Sequence, residues 1–190
     1  MAQLADQVRS VELPPAGTYD LDITHTQLEF VARHMLSKVR GRFTDFSGVV
    51  VIGDAPETSS ARVEVETASI VTHTEQRDQH LKSADFLNVE EYPSLTFTST
   101  GVRVTGERVF ELDGELTIRG VTRPVTLTGE YLGVGTSPYG QTVFAATAAT
   151  SIEREDWDMT WNVAIETGGW LVSKKVDIEI EVEAVLRQDG

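Results

Sequence analysis

The chain has 190 residues and a formal net charge of −14, from 30 acidic and 16 basic side chains. An acidic surface of this kind repels phosphate backbones, so we expect no general binding to nucleic acid. No stretch approaches the roughly 18–20 consecutive apolar residues of a membrane-spanning helix, so we expect no stable membrane insertion. The absence of cysteine excludes disulfides and thiolate chemistry.

The N-terminal segment has neither a basic start nor an apolar run of signal-peptide length. We therefore expect a cytoplasmic protein, or a periplasmic or secreted one if a leader has been removed. Residues 1–16 are predicted to form a flexible arm that ends in two prolines, because such residues favour an extended, solvated backbone. Residues 17–190 are predicted to form one domain, since all-β barrels reach this size as a single unit.

From residue 17 onward, apolar and polar residues alternate with a period of two, the pattern of strands with one buried and one exposed face. Turn residues, rather than long helices, separate these strands. The pattern favours hairpins and predicts an all-β, antiparallel barrel of about eight strands. In chain order, the predicted strands are 19–23, 27–33, 39–52, 62–70, 95–104, 109–118, 125–134, 142–152 and 172–186, with a helix at 76–83.

One segment, near residues 73–88, interrupts the strands and predicts a short helical insert. Residues 72–75 have the spacing of a capping box, which marks the start of a helix. In a barrel, an insert between two strands can cover one end. Arg77 and Asp78 are candidates for ion pairs that fix this cap, and Phe86 is a candidate plug. The alternative is a packed cap without a gating role.

One face of the alternating strands is apolar and is predicted to lie inside the barrel. About eight strands enclose either a packed core or room for one small ligand, and the alternation leaves both open. The small side chains of Gly114, Ala146 and Ala148 leave volume that neighbouring side chains would have to fill. The candidate pore residues are Leu28, Phe30, Ala32, Phe43, Phe46, Phe86, Phe97, Phe110, Leu112, Leu116, Ile118, Phe144, Ala146, Ala148, Trp157, Trp161 and Ile178.

Two candidate features lie at the ends of this predicted pore. Residues 30–44 contain no acid and four Lys or Arg residues, in contrast to the acidic remainder. We hypothesise that His34, Arg40 and Arg42 lie near the mouth and bind a polar or anionic head group. The alternative is a solvated basic turn that balances acidic neighbours. Trp157 and Trp161 fit an aromatic lip and an ordinary core equally well.

Catalytic and metal-binding motifs are missing from the sequence. The four histidines have spacings that fit no common set of metal ligands, and no cysteine assists them. There is no G-x-S-x-G elbow, no P-loop and no G-x-G-x-x-G. We therefore expect a protein that is not an enzyme and has no metal site and no cofactor.

Several ordered motifs resemble those of the YceI-like family, over about residues 18–186. Thr26 stands where the family more often has serine, and Leu87 where it more often has an aromatic residue. Neither difference is a serious departure. The matching segments are 19–30, His34-Met35, Gly41-Arg42-Phe43, Phe46-Ser47-Gly48, 77–93, 116–122 and 151–154.

The resemblance implies a lipocalin-like antiparallel barrel with an elongated apolar pore. It also implies that the pore binds a polyisoprenoid lipid or an isoprenoid quinone, for storage, transport or stress-related sequestration. It thereby favours a lined cavity over a packed core. The alternative is a packed barrel that acts as a stress-linked interaction or structural protein without a lipid ligand. The sequence leaves a homodimer open.

Overall fold

The structure, a computed structural model, describes residues 13–166 and 170–188. The predicted arm therefore lies outside the described residues as far as position 12. The described ranges contain 3-10 turns at Pro56–Thr58, Thr67–Ser69 and Arg154–Trp157. The longer elements are β1 (Gly17–Leu21), β2 (Gln27–His34), β3 (Ser37–Phe43), β4 (Phe46–Ile52), β5 (Ser60–Glu66), β6 (Ile70–Val71), α1 (Glu75–Lys82), β7 (Ser94–Val104), β8 (Val109–Ile118), β9 (Val121–Thr136), β10 (Thr142–Glu153) and β11 (Val172–Leu186).

Eight strands close into an antiparallel barrel in the order β1, β4, β5, β7, β8, β9, β10 and β11, where β11 pairs again with β1. Strand β11 is long enough to pair with two strands along the edge opposite to β10. Its residues 184–186 pair with β1, and its residues 172–181 pair with β2. Strands β2, β3 and β6 continue the wall from there. The predicted all-β barrel with one short helix is confirmed.

The register of the strands decides which side chains face inward. Directly opposite residues share a face of the sheet, so Leu112 of β8 pairs with Leu127 of β9 on the inside. Ile180 of β11 pairs in the same way with Leu28 of β2. The acidic residues that alternate with Ile180 along β11 face solvent. The strands therefore present mainly apolar side chains to the inside of the barrel.

The segment predicted as one strand, residues 39–52, forms two strands with different partners. Strand β3 pairs with β2 and β6, whereas β4 pairs with β1 and β5. The corner between them is held by later residues, since the N–H of Thr44 donates to Ser69 O at 3.3 Å and the N–H of Glu66 donates to Asp45 O at 3.0 Å. Alternation of side chains does not reveal such a change of partner.

Helix α1 begins at Glu75, and the side chain of Thr74 in the N-cap position makes no capping hydrogen bond. The predicted capping box at 72–75 is therefore wrong. The N–H of Thr72 instead donates to Asp78 Oδ1 at 2.8 Å. Within the described part of the chain, no helix has both the length and the apolar character needed to cross a membrane.

Candidate functional site

An apolar cavity of about 710 Å³ lies inside the barrel. Its volume is in the range of about 300–1,000 Å³ that is typical of small-molecule pockets. The lining extends from Leu13 and Pro14, beside β1, to Phe86 and Met159 at the end that the insert covers. Most of the side chains between these ends are aliphatic or aromatic. The interior is therefore hollow and is not filled by its own side chains.

Most of the predicted pore residues lie on the wall of this cavity. They reach it because the strands alternate in register, so that every second residue faces the inside. Phe86 reaches it from the insert instead of from a strand. The predicted residues on the wall are Leu28, Phe30, Ala32, Phe43, Phe86, Phe97, Phe110, Leu112, Leu116, Ile118, Phe144, Ala146, Ala148 and Ile178.

Phe46 and Trp157 were also predicted to face the pore, but neither lines the cavity. Phe46 is 6% exposed and packs against Val65 in a separate cluster of buried side chains. Trp157 is 2% exposed, and its indole N–H donates to Leu116 O at 3.1 Å. This hydrogen bond fixes the indole behind the wall strand. Of the two alternatives for Trp157, core and lip, the structure supports the core.

Trp161 was also predicted to face the pore, and it does not line the cavity either. Its ring packs edge-on against His80, with 4.5 Å between ring centres, and lies tilted against Phe86 at 5.5 Å. Phe86 itself is 6% exposed and lines the cavity. Trp161 therefore packs behind Phe86 and does not line the cavity.

Arg77 and Asp78 fix the insert through a shared partner, Thr72. Arg77 Nε donates to Thr72 Oγ1 at 2.7 Å, and its Nη2 donates to Thr72 O at 2.8 Å. The hydroxyl of Thr72 donates in turn to Asp78 Oδ1. Among the described residues, neither side chain makes the ion pair that the sequence suggested. The helix is thus anchored to the end of β6 by hydrogen bonds.

The predicted head-group residues do not reach the cavity. Arg40 and Arg42 alternate with the inward-facing positions of β3, and the register places both on the outer face. Arg40 forms ion pairs with the carboxylates of Glu29 and Glu179. His34 ends β2 and is exposed. None of the three lines the cavity, so the structure favours the alternative of a solvated basic hairpin.

Sequence reasoning missed Arg154, which lines the cavity and is only 2% exposed. Its Nε donates to Ser173 O at 2.9 Å, and its Nη1 donates to Met159 O. The guanidinium carbon lies 5.8 Å from the centre of the Phe86 ring. Burial lowers the pKa of Arg154, an effect that nearby Glu155 opposes. The sequence motif at 151–154 includes Arg154, but nothing in the motif indicates that this side chain is buried.

One cluster of candidate metal ligands occurs among the described residues, where ligand atoms of Asp22, His25 and Glu183 lie within 4.8 Å of one another. The sequence analysis did not foresee it. Hydrogen bonds from Thr24 and then from His25 lower the pKa of Asp22 to about 2. The hydrogen bond with Asp22 raises the pKa of His25. The cluster lies at the surface, outside the cavity wall, and these contacts account for its geometry.

Comparison with known proteins gives a consistent result. The model of the YceI-like domain matches residues 19–184. The chain is 36% identical over 174 residues to Protein YceI of Escherichia coli O157:H7, which covers 90% of this chain and 87% of that protein. The crystal structure of a Campylobacter jejuni YCEI protein is 28% identical, with a TM-score of 0.71, and covers 82% of this chain and 90% of that chain.

A second solved structure, described as a polyisoprenoid binding domain from Saccharophagus degradans implicated in plant cell wall breakdown, has a TM-score of 0.67. It covers 91% of this chain and 100% of that chain, with 14% identity. At this identity the likeness shows a shared fold.

Proposed function

The chain belongs to the YceI-like domain family, and on this premise we propose that its barrel binds one polyisoprenoid lipid. The cavity of about 710 Å³ is the observation that carries the proposal. In a measured series of core mutants, the free energy of unfolding fell by roughly 24 cal/mol per Å³ of apolar cavity. A large empty cavity therefore destabilises the folded state, and a bound ligand would offset this loss. The alternative function, that of a packed barrel, loses its structural premise because the interior is hollow.

The wall suits a long hydrocarbon tail. Burial contributes about 0.8 kcal/mol per CH₂ group before the costs of ordering the tail, and it needs no hydrogen bonds. Ile178, Leu112 and Phe144 exemplify the aliphatic and aromatic side chains that supply this surface. The relative from Saccharophagus degradans, described as a polyisoprenoid binding domain, supports an isoprenoid in particular. Isoprenoid quinones belong to the same class of tailed ligand and differ in the head group.

We also propose that the protein binds its lipid without transforming it. Among the described residues, no histidine lines the cavity, so the wall lacks the commonest general base. A site of this kind holds a lipid for storage, transport or sequestration. The three roles require the same cavity and differ only in how the lipid is exchanged.

Extraction of the purified protein with organic solvent tests the proposal directly. Mass spectrometry of the extract should detect a polyisoprenoid. Native mass spectrometry of the protein before and after extraction should show the loss of the same mass. A polyprenol added back to the extracted protein should raise its Tm, since a ligand specific for the folded state stabilises that state by about 2.7 kcal/mol at about 100 times Kd. An extract without lipid, together with an unchanged Tm, would contradict the proposal.

A further inference from the structure

Arg154 places a guanidinium group at the insert-covered end of the apolar cavity. The residue begins the 3-10 turn Arg154–Trp157, directly after β10. Phe86 of the insert lies beside it on the cavity wall, as does Met159. The side chain is 2% exposed, so bulk water does not solvate its charge. A cation in this position needs partners from the protein or from a ligand.

The protein satisfies only part of this guanidinium. Nε and Nη1 donate to the backbone carbonyls of Ser173 and Met159. Nη2 is buried and has no hydrogen-bond partner among the described residues. A buried donor without an acceptor destabilises the folded state, and such groups are rare in native proteins. One nitrogen of this cavity-lining residue is therefore left without an acceptor among the described residues.

Arg154 also forms no direct ion pair with a carboxylate among the described residues, and only the charge of nearby Glu155 acts on it. Its acidic neighbour, Glu155, is engaged elsewhere, since Glu155 Oε2 lies 2.9 Å from Lys174 Nζ. The carbonyl partners of Nε and Nη1 are neutral. A buried, unpaired cation attracts an anion more strongly than a neutral acceptor, because the surroundings screen the charge poorly.

We propose that Arg154 Nη2 donates a hydrogen bond to an anionic oxygen on the head of the bound lipid. The head then lies at the end of the cavity beside Phe86, and the tail extends towards the opposite end beside Leu13. This inference rests on the proposed lipid-binding function. A phosphate and a carboxylate offer the same chemistry, so the experiment includes both.

Three probes with the same tail test the inference: geranylgeranyl phosphate, geranylgeranoic acid and the neutral alcohol geranylgeraniol. The extracted wild-type protein should bind at least one of the anionic probes about tenfold more tightly than the alcohol. A preference for both points to an anionic oxygen in general, and a preference for one identifies the head group. Equal affinities for all three probes would overturn the inference.

Two variants test whether Arg154 causes the preference for anionic probes. In Arg154→Met the affinity for the anionic probes should fall to that for the alcohol, whereas Arg40→Met, which removes a cation from the outer face, should keep the wild-type preference. A preference that persists in folded Arg154→Met would overturn the inference. Because Arg154 also holds Ser173 and Met159, the side-chain N–H resonances of Arg154 in the wild type serve as a second measurement. They should shift with geranylgeranyl phosphate and stay in place with the alcohol; equal shifts would contradict the assignment.

The outcomes separate this inference from the function on which it rests. Binding of the alcohol without any preference for an anionic head leaves the lipid-binding function in place and removes only the role of Arg154. Failure of the wild type to bind all three probes contradicts the lipid-binding function and the inference together.

Discussion

The ring of Phe97 occupies the space above Gly114 on the neighbouring strand. A Cβ atom on Gly114 would lie 2.4 Å from both Cε2 and Cζ of this ring. The glycine that suggested free volume in the sequence is therefore covered. Because Gly114 has no side chain, the Phe97 ring can lie against the barrel wall. A larger residue at position 114 would push the ring into the lumen, so this pairing leaves the cavity open. The same relationship joins Phe30 to Gly41 and Phe110 to Gly129.

The substitution Gly41→Ala should narrow the cavity. The new Cβ would lie 2.3 Å from Phe30 Cζ and 2.8 Å from Thr72 Cγ2, and both neighbours are side-chain atoms. We expect the Phe30 ring to turn towards the lumen, with a loss of about 1–3 kcal/mol of stability from overpacking. Affinities for a series of prenols of increasing length should show the longest prenol affected most. Gly135→Ala is the control, because a Cβ there meets nothing within 4 Å; an unchanged length profile in Gly41→Ala would contradict the role of the pair.

Substitutions at two neighbouring alanines of β10 separate cavity from surface. Ala148 lines the cavity, whereas Ala149 faces outward and is exposed. We expect Ala148→Trp to occupy the lumen and abolish the increase in Tm that an added polyprenol causes in the extracted protein. Ala149→Trp should keep that increase, since adjacent residues of a strand point to opposite faces. Equal thermal shifts in the two variants would mean that the lipid does not bind where Ala148 lies.

The inward set was readable from the sequence wherever a strand is long and has one partner on each side. Leu112, Leu116 and Ile118 of β8 are examples, because a local period of two fixes their common face. The same alternation is visible around Arg40 and Arg42, which alternate with apolar residues of β3 and so belong to the outer face. The head-group hypothesis gave more weight to the local charge than to this alternation, and for that reason it misplaced both residues.

Positions outside regular strands were not predictable in this way. Trp157 and Trp161 lie in and beyond the last 3-10 turn, where no period relates a residue to a face. Arg154 is defined by contacts with Met159 and Ser173, and the latter comes from the next strand. Such contacts depend on how the end of the barrel is closed. Local sequence patterns therefore identified the wall and left its covered end undetermined.

Thr67 should be important for stability at the point where the insert returns to the barrel. Its side chain is 1% exposed, and the hydroxyl lies 2.7 Å from Tyr92 O and 2.8 Å from Pro93 O. Thr67→Val keeps the shape but removes the donor, so the free energy of unfolding should fall by about 1–3 kcal/mol. Thr67→Ser keeps the hydroxyl and should cost about 0.8 kcal/mol for the lost methyl group. Urea denaturation measures both; a larger loss in Thr67→Ser than in Thr67→Val would contradict the role of the hydroxyl.

The contact between Asp22 and His25 should make stability depend on pH in two windows. The pKa of Asp22 is lowered to about 2 in the folded state, below the ordinary value of about 3.9. Its contribution is therefore present above about pH 4 and is lost as the pH falls towards the folded pKa. The pKa of His25 is raised in the folded state. Its contribution is present below its ordinary pKa of about 6.5 and is lost as the pH rises through the folded value.

Removal of the acidic partner tests this assignment at the histidine itself. The hydrogen bond with Asp22 is the largest cause of the raised pKa of His25, and the charge of Glu183 is a smaller one. Asp22→Asn should therefore return the pKa of His25 towards its ordinary value, and Glu183→Gln should lower it less. The ring-proton resonances of His25, followed by NMR through a pH titration, report both shifts. A larger shift in Glu183→Gln than in Asp22→Asn would contradict the assignment of the raised pKa mainly to Asp22.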